Sequence, residues 1–437
     1  MSFPRYQKYK DCGVEWLGEV PAHWEVKRVG YVFNERREKV SDKDFPALSV
    51  TKNGIVPQLD TAAKSDDGDN RKKVLTGDFV INSRSDRKGS AGASQLDGSV
   101  SLICTVLRPQ EQVHTPFVHH LLRCQPFQEE FYRNGKGIVA DLWSTNYSEM
   151  RNILLGMPPL PEQTIIAAFL DRETAKIDGL VAEQRRLMDL LREKRQAVIS
   201  HAVTRGLNPH APMKPSGIEW LGDVPAHWEV RRLSSLSTKI TNGYVGPTRD
   251  ILLDDGIRYL QSLHIKGNRI QFNEPYYVSD QWSDQHRKSI LEAGDVLIVQ
   301  TGDIGQVAVV TEEFAGCNCH ALIIVAPIRS AVDGEWMSWV LNSHYGFHTL
   351  LSIQTGALHP HLNCGNVKDI SIPLPPLSEQ GRIVAYVIDQ VGEFDRLAAE
   401  SKRAIELLTE RRTTLISAAV TGKIKVFDHS SVAHTKS

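Results

Sequence analysis

Two stretches of the chain carry apolar residues at alternating three- and four-residue steps, the spacing that puts them on one face of an α-helix. The first line runs through Ile177, Leu180, Gln184, Leu187, Leu191 and Val198, and the second through Phe394, Leu397, Ala404, Leu408 and Leu415. The other face of the first stretch is charged, with Arg185, Arg186, Arg192, Lys194 and Arg195. The pattern predicts two long helices, and one over residues 177–203 would be about 40 Å long at 1.5 Å per residue.

Short apolar runs beside turn residues predict β-strands in other parts of the chain. Residues 73–82 combine a turn at Gly77-Asp78 with an apolar strand, residues 291–299 repeat this pattern, and residues 321–325 add another strand. Helix-compatible stretches lie near residues 117–131 and 337–351. The segments between the leading residues and the long helices are therefore expected to be mixed α/β.

An internal repeat is the dominant feature of the sequence. Residues 14–29 recur as residues 218–233 with 12 of 16 positions identical, at an offset of 204. Residues 158–163 recur as 375–380, and 202–204 as 419–421, both at an offset of 217. The chain is therefore two copies of one unit, and the second copy holds 13 extra residues between its matching segments.

The two copies agree at their ends and differ in the middle. The leading segments and the long helices match closely, whereas residues 30–157 and 234–374 have diverged. A shared frame with two different surfaces is typical of a protein that binds two unlike targets. The alternative is a gene duplication whose halves simply drifted apart.

Duplicated units are commonly related by a pseudo-two-fold axis, which would make the two long helices antiparallel and place the variable domains at opposite ends. The alternative is that each apolar line packs only on the core of its own domain. The domain boundaries that we expect are residues 1–160 for the first leading segment and variable domain, 161–208 for the central helix, 209–376 for the second copy of the domain, and 377–437 for the last helix and tail.

Composition restricts the function only weakly. The formal charge of -1 and the pI of about 7.0 indicate no overall basic field, so a nucleic-acid surface must come from local clustering. A signal peptide and a membrane span are not expected, which predicts a cytoplasmic protein. The six cysteines form no CxxC pair, and Cys317-Asn318-Cys319-His320 lacks a second cluster to complete a metal site, so we expect no metal.

Motifs for nucleotide, dinucleotide or zinc-protease chemistry are missing from the sequence. The polar loop residues that remain are of the types that bind base edges and phosphates, with Arg and Lys suited to guanine or phosphate and Asn and Gln to adenine. The candidates in the first variable domain are Thr51, Lys52, Asn53, Ser83, Arg84, Ser85, Arg87, Lys88, Ser144, Thr145, Asn146 and Tyr147. Those in the second are His264, Lys266, Asn268, Arg269, Gln300, Thr301, His359, His361 and Asn363.

The repeated motifs resemble those of the specificity subunits of type I restriction-modification systems over essentially the whole chain. The resemblance rests on Glu15-Trp16-Leu17-Gly18 with Pro21 and His23-Trp24-Glu25, on the segments that end at Gln163 and Gln380, and on the residues Ile177 to Leu180 and Ala202 to Thr204. The second copy departs from the pattern only slightly, with Phe394 for the isoleucine and Ser378 for the second proline of the loop.

The resemblance implies a fold of class α/β (α+β), in which two target-recognition domains are separated by a pair of long antiparallel coiled-coil helices. Each domain would read one half of a bipartite site in double-stranded DNA, while the helices set the unread gap and bind two methyltransferase subunits. S-adenosylmethionine would bind to those partners, and two restriction subunits would use ATP and magnesium. The chain itself would hold no cofactor and catalyse no reaction.

Two other functions stay open at this point. The chain could be a self-contained methyltransferase or nuclease, which methyl transfer by the purified chain alone would reveal. It could also be an adaptor that joins proteins through its helices, in which case duplex DNA would keep its mobility in the presence of the chain and its methyltransferase.

Overall fold

The computed structural model describes residues 3–60, 68–137, 143–356, 358 and 360–427. The chain divides into two compact units. Unit 1 comprises residues 1–184 and 402–437, and unit 2 comprises residues 185–401. The two boundaries, after Gln184 and after Ser401, are repeat-equivalent positions at the offset of 217. Each long helix therefore contributes one half to each unit.

Unit 1 is built from two sheets, three separate strand pairs and short helices. Its four-stranded antiparallel sheet has the order Ala91–Ala93, Phe79–Asn82, Cys104–Pro109, Phe33–Glu35, and its three-stranded sheet has the order Gly98–Val100, Arg71–Val74, Lys39–Val40. The pairs are Tyr9–Asp11 with Glu19–Pro21, Glu25–Arg28 with Leu154–Met157, and Leu48–Thr51 with Gly54–Pro57. The short helices are Val29–Val32, Ser85–Arg87 (3-10), Thr115–Leu121, Gln125–Arg133 and Tyr147–Met150.

Unit 2 repeats this plan. Its four-stranded sheet has the order Val307–Val309, Val296–Val299, Leu322–Pro327, Ser237–Asn242, and its three-stranded sheet has the order Tyr277–Val278, Ile257–Leu260, Asn318–Cys319. The pairs are Met213–Pro215 with Asp223–Pro225, Glu229–Arg232 with Ser371–Leu374, and Ile265–Lys266 with Arg269–Ile270. The short helices are Leu233–Leu236, Asp280–Gln285, Gly334–Asn342, His344–Ser352 and Cys364–Lys368, with 3-10 turns at Ser262–His264, Arg287–Ser289 and Glu312–Phe314.

The four-stranded sheets have the same strand order in both units, and their second strands, Phe79–Asn82 and Val296–Val299, stand at the offset of 217. The offset has therefore already changed from 204 to 217 before Val296. The 13 extra residues of unit 2 fall upstream of this strand, in the part of the chain that contains the helix Asp280–Gln285.

The two helix-compatible stretches each form a pair of short helices. In unit 1 the break falls between Thr115–Leu121 and Gln125–Arg133, where Pro126 lies in the first turn of the second helix. Proline is favoured there because its missing N–H would have no partner inside the helix. In unit 2 the Ser343 hydroxyl accepts from the Gly346 N–H and caps the second helix.

The long helices span Leu160–Arg205 and Leu377–Val420. The first is about 68 Å long at 1.5 Å per residue, well beyond the 40 Å expected, because it begins directly after Pro158 and Pro159. The second long helix ends at Val420, and Gly422 follows it with a φ of +72° that suits glycine, where an added Cβ would lie 2.3 Å from Pro21.

The seam of the long helices includes most of the predicted residues but not all of them. Leu180, Leu187 and Leu397 are 47%, 42% and 37% exposed and do not lie in the seam. The seam of the first helix runs through the buried and half-buried positions Leu170, Thr174, Ile177, Val181, Gln184, Met188, Leu191, Arg195, Val198 and Ala202. The equivalents in the second helix are Val387, Val391, Phe394, Ala398, Ser401, Ile405, Leu408, Arg412, Leu415 and Ala419. Both follow the seven-residue repeat of a coiled coil. The sequence did not show which of two neighbouring lines of apolar residues is buried, because leucines lie beside the seam at helical spacing.

The long helices run antiparallel inside each unit. In unit 1 Arg412 pairs with Asp178, at 2.9 Å from Nε to Oδ1, and Leu415, Ala419 and Val420 share a core with Ile166 and Leu170. The repeat-equivalent pair in unit 2 is Arg195 with Asp395, at 3.6 Å from Nε to Oδ1. The predicted mixed α/β fold with two domains and coiled-coil helices is confirmed.

Candidate nucleic-acid interface

The repeated motifs form a frame that holds each variable domain on the long helices. Glu162 lies 2.8 Å from the ring of His23 and accepts from Trp24 Nε1 at 3.2 Å. Gln163, which is buried, accepts from the His114 N–H at 2.9 Å and donates to the Pro158 carbonyl at 2.9 Å. The His-Trp and Glu-Gln motifs are therefore structural contacts that fix the leading segment and the short helices at the start of the long helix.

The same frame is present in unit 2. Glu379 lies 2.8 Å from the ring of His227, and Gln380 accepts from the Asp333 N–H at 2.9 Å and donates to the Pro375 carbonyl at 2.8 Å. Trp228 Nε1, unlike Trp24 Nε1, is buried with no hydrogen-bond partner among the described residues. The frame is thus almost the same in both copies, whereas the loops that it carries are not.

Two of the candidate loops of unit 1 lie side by side. The Thr145 N–H donates to the Ser83 carbonyl at 2.9 Å, and Arg84 and Ser144 form a β-bridge. Ser83 and Thr145 are buried, and Tyr147 donates its hydroxyl to the Phe33 carbonyl at 2.9 Å. Ser85 begins the 3-10 turn. The exposed candidates of this pair of loops are Arg84, Arg87, Lys88 and Asn146.

The third candidate segment of unit 1 is the tip of the hairpin formed by Leu48–Thr51 and Gly54–Pro57. The Thr51 hydroxyl donates to the Gly54 carbonyl at 2.9 Å and accepts from the Asn53 N–H, which shapes the turn. Lys52 and Asn53 are exposed. The turn itself is tethered because Arg123 donates to the Lys52 carbonyl.

Unit 2 pairs the equivalent loops in the same way. The Leu362 N–H donates to the Gln300 carbonyl at 3.0 Å, at the repeat-equivalent positions of Thr145 and Ser83. Gln300 Nε2 donates a hydrogen bond to the Leu362 carbonyl. Thr301 is exposed, and the side chain of Asn363 caps the helix Cys364–Lys368. His361 lies half-buried beside Thr355, and His359 lies outside the described residues.

The hairpin tip of unit 2 has two exposed candidates and two buried ones. Lys266 and Arg269 are exposed at the ends of a two-residue turn in which Gly267 and Asn268 both have positive φ, at 61° and 65°. This geometry matches the hairpin turn that favours Gly and Asn. Asn268 accepts from Asn342 Nδ2 at 2.6 Å and from the Ser338 hydroxyl. His264, fully buried, accepts from the Gln261 N–H and bonds the Glu274 carbonyl. These two side chains hold the loop and do not face solvent.

A cleft in unit 1, here named the junction cleft, joins the candidate loops to the long helices. It has a volume of about 580 Å³ and is lined by Lys52, Lys88, Gly89, His119, His120, Arg123, Gln128, Asp171, Thr174, Arg412 and Ile416. Four cationic side chains face one carboxylate. Lys52 and Lys88 were predicted from their loops, but His119, Arg123 and Arg412 were not, because they are distant in sequence and lie on helices or at a helix end.

The equivalent cleft of unit 2 is smaller and nearly uncharged. It has a volume of about 350 Å³ and is lined by Arg195, Gln196, Gly267, Asn268, Gln306, Trp339, Asn342, His344, Phe347 and His348. Arg195 is the repeat equivalent of Arg412, yet amides and aromatic rings replace the other cations. The two units therefore have clefts at the same place in the fold with different chemistry.

The cysteines and histidines of the second variable domain do not form a metal site in the described part of the chain, where no three His, Cys, Asp or Glu side chains cluster as metal ligands. Burial raises the pKa of the Cys317 thiol to about 11 and that of the fully buried Cys319 thiol still further. Both thiols are therefore protonated at neutral pH and pack as core residues.

Comparison with known proteins relates the chain to one family. Residues 225–407 match the family model of the type I restriction modification DNA specificity domain. The EcoBI specificity subunit of Escherichia coli is 24% identical over 74% of this chain and 68% of its own length. The putative MjaX specificity subunit of Methanocaldococcus jannaschii is 22% identical over 94% of this chain and 96% of its own length. The chain is thus similar to type I specificity subunits over most of its length.

A solved structure has the same fold as this chain. It comes from a study of complex assembly and conformational transition of the type I R-M system, and the similarity has a TM-score of 0.68 at 18% identity. The match covers 92% of this chain and 98% of the other. The resemblance to type I specificity subunits that the repeated motifs predict is confirmed. Within the described residues, no helix is long and apolar enough to cross a membrane.

Proposed function

We propose that each unit reads one half of a bipartite DNA site through its paired loops and its hairpin tip. The observation that carries this proposal is the pairing of Thr145 with Ser83 in unit 1 and of Leu362 with Gln300 in unit 2. The backbone bond is the same, but the side chains around it differ. One geometry that presents two sets of side chains is what reading two different half-sites requires.

The exposed residues of these loops have the chemistry for DNA. In unit 1 they are Lys52, Asn53, Arg84, Arg87, Lys88 and Asn146, and in unit 2 they are Lys266, Arg269 and Thr301, with the partly exposed Gln300, His361 and Asn363 beside them. Arginine bonds two acceptors of guanine, asparagine and glutamine bond adenine, and lysine binds phosphate. The buried candidates Ser83, Thr145, His264 and Asn268 support these loops from inside.

Substitution of loop residues in one unit should alter one half-site only. Arg84→Ala with Asn146→Ala in unit 1, and Thr301→Ala with Asn363→Ala in unit 2, should each reduce discrimination at contacted bases by about 1–3 kcal/mol per base contact. The measurement is methylation-site mapping in cells that carry the methyltransferase. Lys43→Ala, at a side chain that is 81% exposed outside these loops, is the control. Equal loss of discrimination at both half-sites would contradict the proposal.

We also propose that the long helices bind two methyltransferase subunits. Four leucines project from them at repeat-equivalent positions, with Leu180 and Leu407 in unit 1 and Leu397 and Leu190 in unit 2. They are between 37% and 56% exposed. Each of the two helix segments of each unit thus carries one of these four leucines. This repetition supports one partner per unit, since exposed apolar patches mark protein interfaces.

Removing one leucine pair should remove one partner. Leu180→Asp with Leu407→Asp should lower the number of bound methyltransferase subunits from two to one, and adding Leu397→Asp with Leu190→Asp should lower it to none. Native mass spectrometry of the purified complex measures this number. The control is Lys176→Asp with Lys402→Asp at exposed polar positions of the same segments. Retention of both partners by the fourfold variant would exclude these helix faces as the docking surface.

We further propose that the long helices set the length of the unread gap. Four residues inserted after Arg186 and after its repeat equivalent Arg403 should lengthen each helix by about 6 Å. At about 3.4 Å per base pair the gap should grow by one to two base pairs. Methylation-site mapping should show both half-sites unchanged, and an unchanged gap would argue against the spacer role.

The proposed assembly takes its chemistry from partner subunits. S-adenosylmethionine would bind to the methyltransferase subunits, and ATP and magnesium to two restriction subunits. We assign no catalytic step and no cofactor to this chain, and we place the assembly in the cytoplasm, where its DNA is. Methyl transfer by the purified chain alone would contradict this division of roles.

A further inference from the structure

The junction cleft of unit 1 contains more positive charge than its own acids balance. Asp171 lies 2.7 Å from the ring of His120, and Asp178 holds Arg412. Lys52, Lys88 and Arg123 have no ion pair with any residue that the structure describes. Burial and the charge of Arg412 lower the pKa of Arg123, which indicates that its guanidinium lies in a costly environment. An anion in the cleft would offset this cost.

The histidine beside Arg123 has a hydrogen-bonding conflict that an anion would resolve. Both ring nitrogens of His119 face N–H donors, Nδ1 facing the Ala93 N–H at 3.2 Å and Nε2 facing Arg123 Nη1 at 2.5 Å. Burial, with the charge of Arg123, lowers the pKa of His119 to about 3, so the ring is neutral and has one N–H and one lone pair. One of the two contacts therefore lacks an acceptor. An anionic oxygen beside this pair, on the cleft side, would accept from both His119 Nε2 and Arg123 Nη1 and would let the two nitrogens separate.

The cleft is continuous with the proposed DNA surface. Lys52 lies at the hairpin tip and Lys88 ends the loop that follows Arg84, and both side chains are exposed and line the cleft. A duplex that contacts these loops would bring its sugar-phosphate backbone to the cleft mouth. Phosphate oxygens are the acceptors that lysine and arginine bind most often at DNA interfaces.

The equivalent cleft of unit 2 shows that the fold does not require these cations. Its only arginine, Arg195, faces Asp395, and the position equivalent to Lys88 is Gly305. Apart from Arg412, the lysine and arginine side chains that line the junction cleft therefore have no counterpart in the lining of the unit 2 cleft.

We propose that Lys88, Arg123 and the His119 N–H of the junction cleft bind one phosphate group of the DNA backbone beside the half-site read by unit 1. This inference rests on the proposed function, and it adds a backbone anchor that unit 2 lacks. The anchor would set the register of the duplex on unit 1 without contacting a base.

A coupling experiment between single phosphates and single side chains tests the proposal. Duplexes with one neutral methylphosphonate at each position around the half-site of unit 1 are bound by the chain in complex with its methyltransferase. At one position the modification should weaken wild-type binding on the order of tenfold, the range for a hydrogen bond to a charged group. Lys88→Gln and Arg123→Gln should weaken binding to unmodified DNA similarly and lose the effect of that methylphosphonate.

Control variants separate this effect from general loss of charge or of fold. Lys8→Gln with Lys43→Gln removes two exposed lysines that do not line the cleft, and this variant should keep the full methylphosphonate effect. Because Arg123 also tethers the hairpin tip, Lys88→Gln, which breaks no backbone contact, provides the test that folding cannot confound. Arg123→Lys should restore part of the coupling.

The outcomes distinguish this inference from the function on which it rests. If every methylphosphonate weakens Lys88→Gln and Arg123→Gln as much as wild type, the phosphate site is overturned while sequence-specific binding stands. If the wild-type complex shows no sequence-specific binding, both fall. If inorganic phosphate at constant ionic strength raises the melting temperature of wild type but not of Arg123→Gln, and no methylphosphonate is coupled, the assignment to DNA is overturned in favour of a small anion.

Discussion

Both units have a Gly-Asp turn at the same point of the fold. The aspartate of unit 1 forms an ion pair with an arginine, whereas the aspartate of unit 2 forms none with a described residue. In unit 1 the buried Asp78 accepts from the Leu75 N–H and forms two bonds with Arg36, at 2.7 Å from Nε and 3.1 Å from Nη2. In unit 2 the equivalent Asp295 accepts from the Glu292 N–H at 3.0 Å but has no ion pair with a described residue. Both carboxylates are 3% exposed. In both units the aspartate side chain accepts a hydrogen bond from the turn. Its negative charge is paired only in unit 1, where Arg36 lies beside it.

The same contrast holds between the frame and the outward-facing loops of the two units. The motifs that attach each variable domain to the long helices use equivalent residues at nearly equal distances in both units. The loops and clefts that face outward keep the backbone arrangement and change the side chains. The contacts that both copies share therefore belong to the frame, and the differences between the copies belong to the outward-facing loops and clefts.

Asp78→Asn should have the largest effect on the stability of either unit. The amide still accepts from the Leu75 N–H, but Arg36, whose side chain is 16% exposed, loses its carboxylate. Removing one partner of a largely buried ion pair should destabilise unit 1 by about 3 kcal/mol. Urea denaturation followed by hydrogen exchange of the four-stranded sheet measures this loss. Arg37→Gln, at a side chain that is 78% exposed, is the control, and a loss no larger than the control's would mean that the pair contributes nothing.

The smaller expected effect has the opposite sign. Burial raises the pKa of Asp295. At a pH between the unfolded and the folded pKa, the folded chain therefore keeps a proton on this carboxyl group that the unfolded chain releases. Its charged form therefore destabilises unit 2 as the pH rises from near 4, the ordinary value for aspartate, through the raised folded pKa. Asp295→Asn should make unit 2 more stable at pH 7.

The gain from Asp295→Asn should shrink as the pH falls to 4 and below, because the folded chain already holds the proton and the unfolded chain increasingly takes it up. Urea midpoints of wild type and variant at pH 7 and near pH 4 measure the trend. A loss of stability at pH 7, as for Asp78→Asn, would erase the distinction between the two turns.

Much of the frame could be predicted from the sequence because the same motifs occur in both copies of the repeat. The matching residues 14–29 and 218–233, and the segments that end at Gln163 and Gln380, revealed two copies, two long helices and a resemblance to type I specificity subunits. The buried face of those helices could be predicted only in part, since Ile177 and Leu191 lie in it and Leu180 does not. Leu180 and Val181 are both apolar and both lie at helical spacing from Ile177, and only packing against the antiparallel helix selects Val181.

The candidate loops were found only in part, for a related reason. Polar residue type at a turn predicted Lys52, Arg84 and Lys88, which are exposed, but also His264 and Asn268, whose side chains point inward to complete hydrogen bonds. Arg123 and Arg412 showed no local signal at all. They meet Lys88 only because the long helices and the short helix pair fold together, across 324 residues in the case of Arg412.

What the amino-acid order by itself determined is therefore the duplication, the periodicity of the helices and the segments where strands form, since these are local properties of spacing and propensity. What only the tertiary structure decided is which polar side chains face solvent and which charges share a cleft. Burial and electrostatics depend on neighbours that are distant in sequence, and no local pattern in either copy of the repeat encodes them.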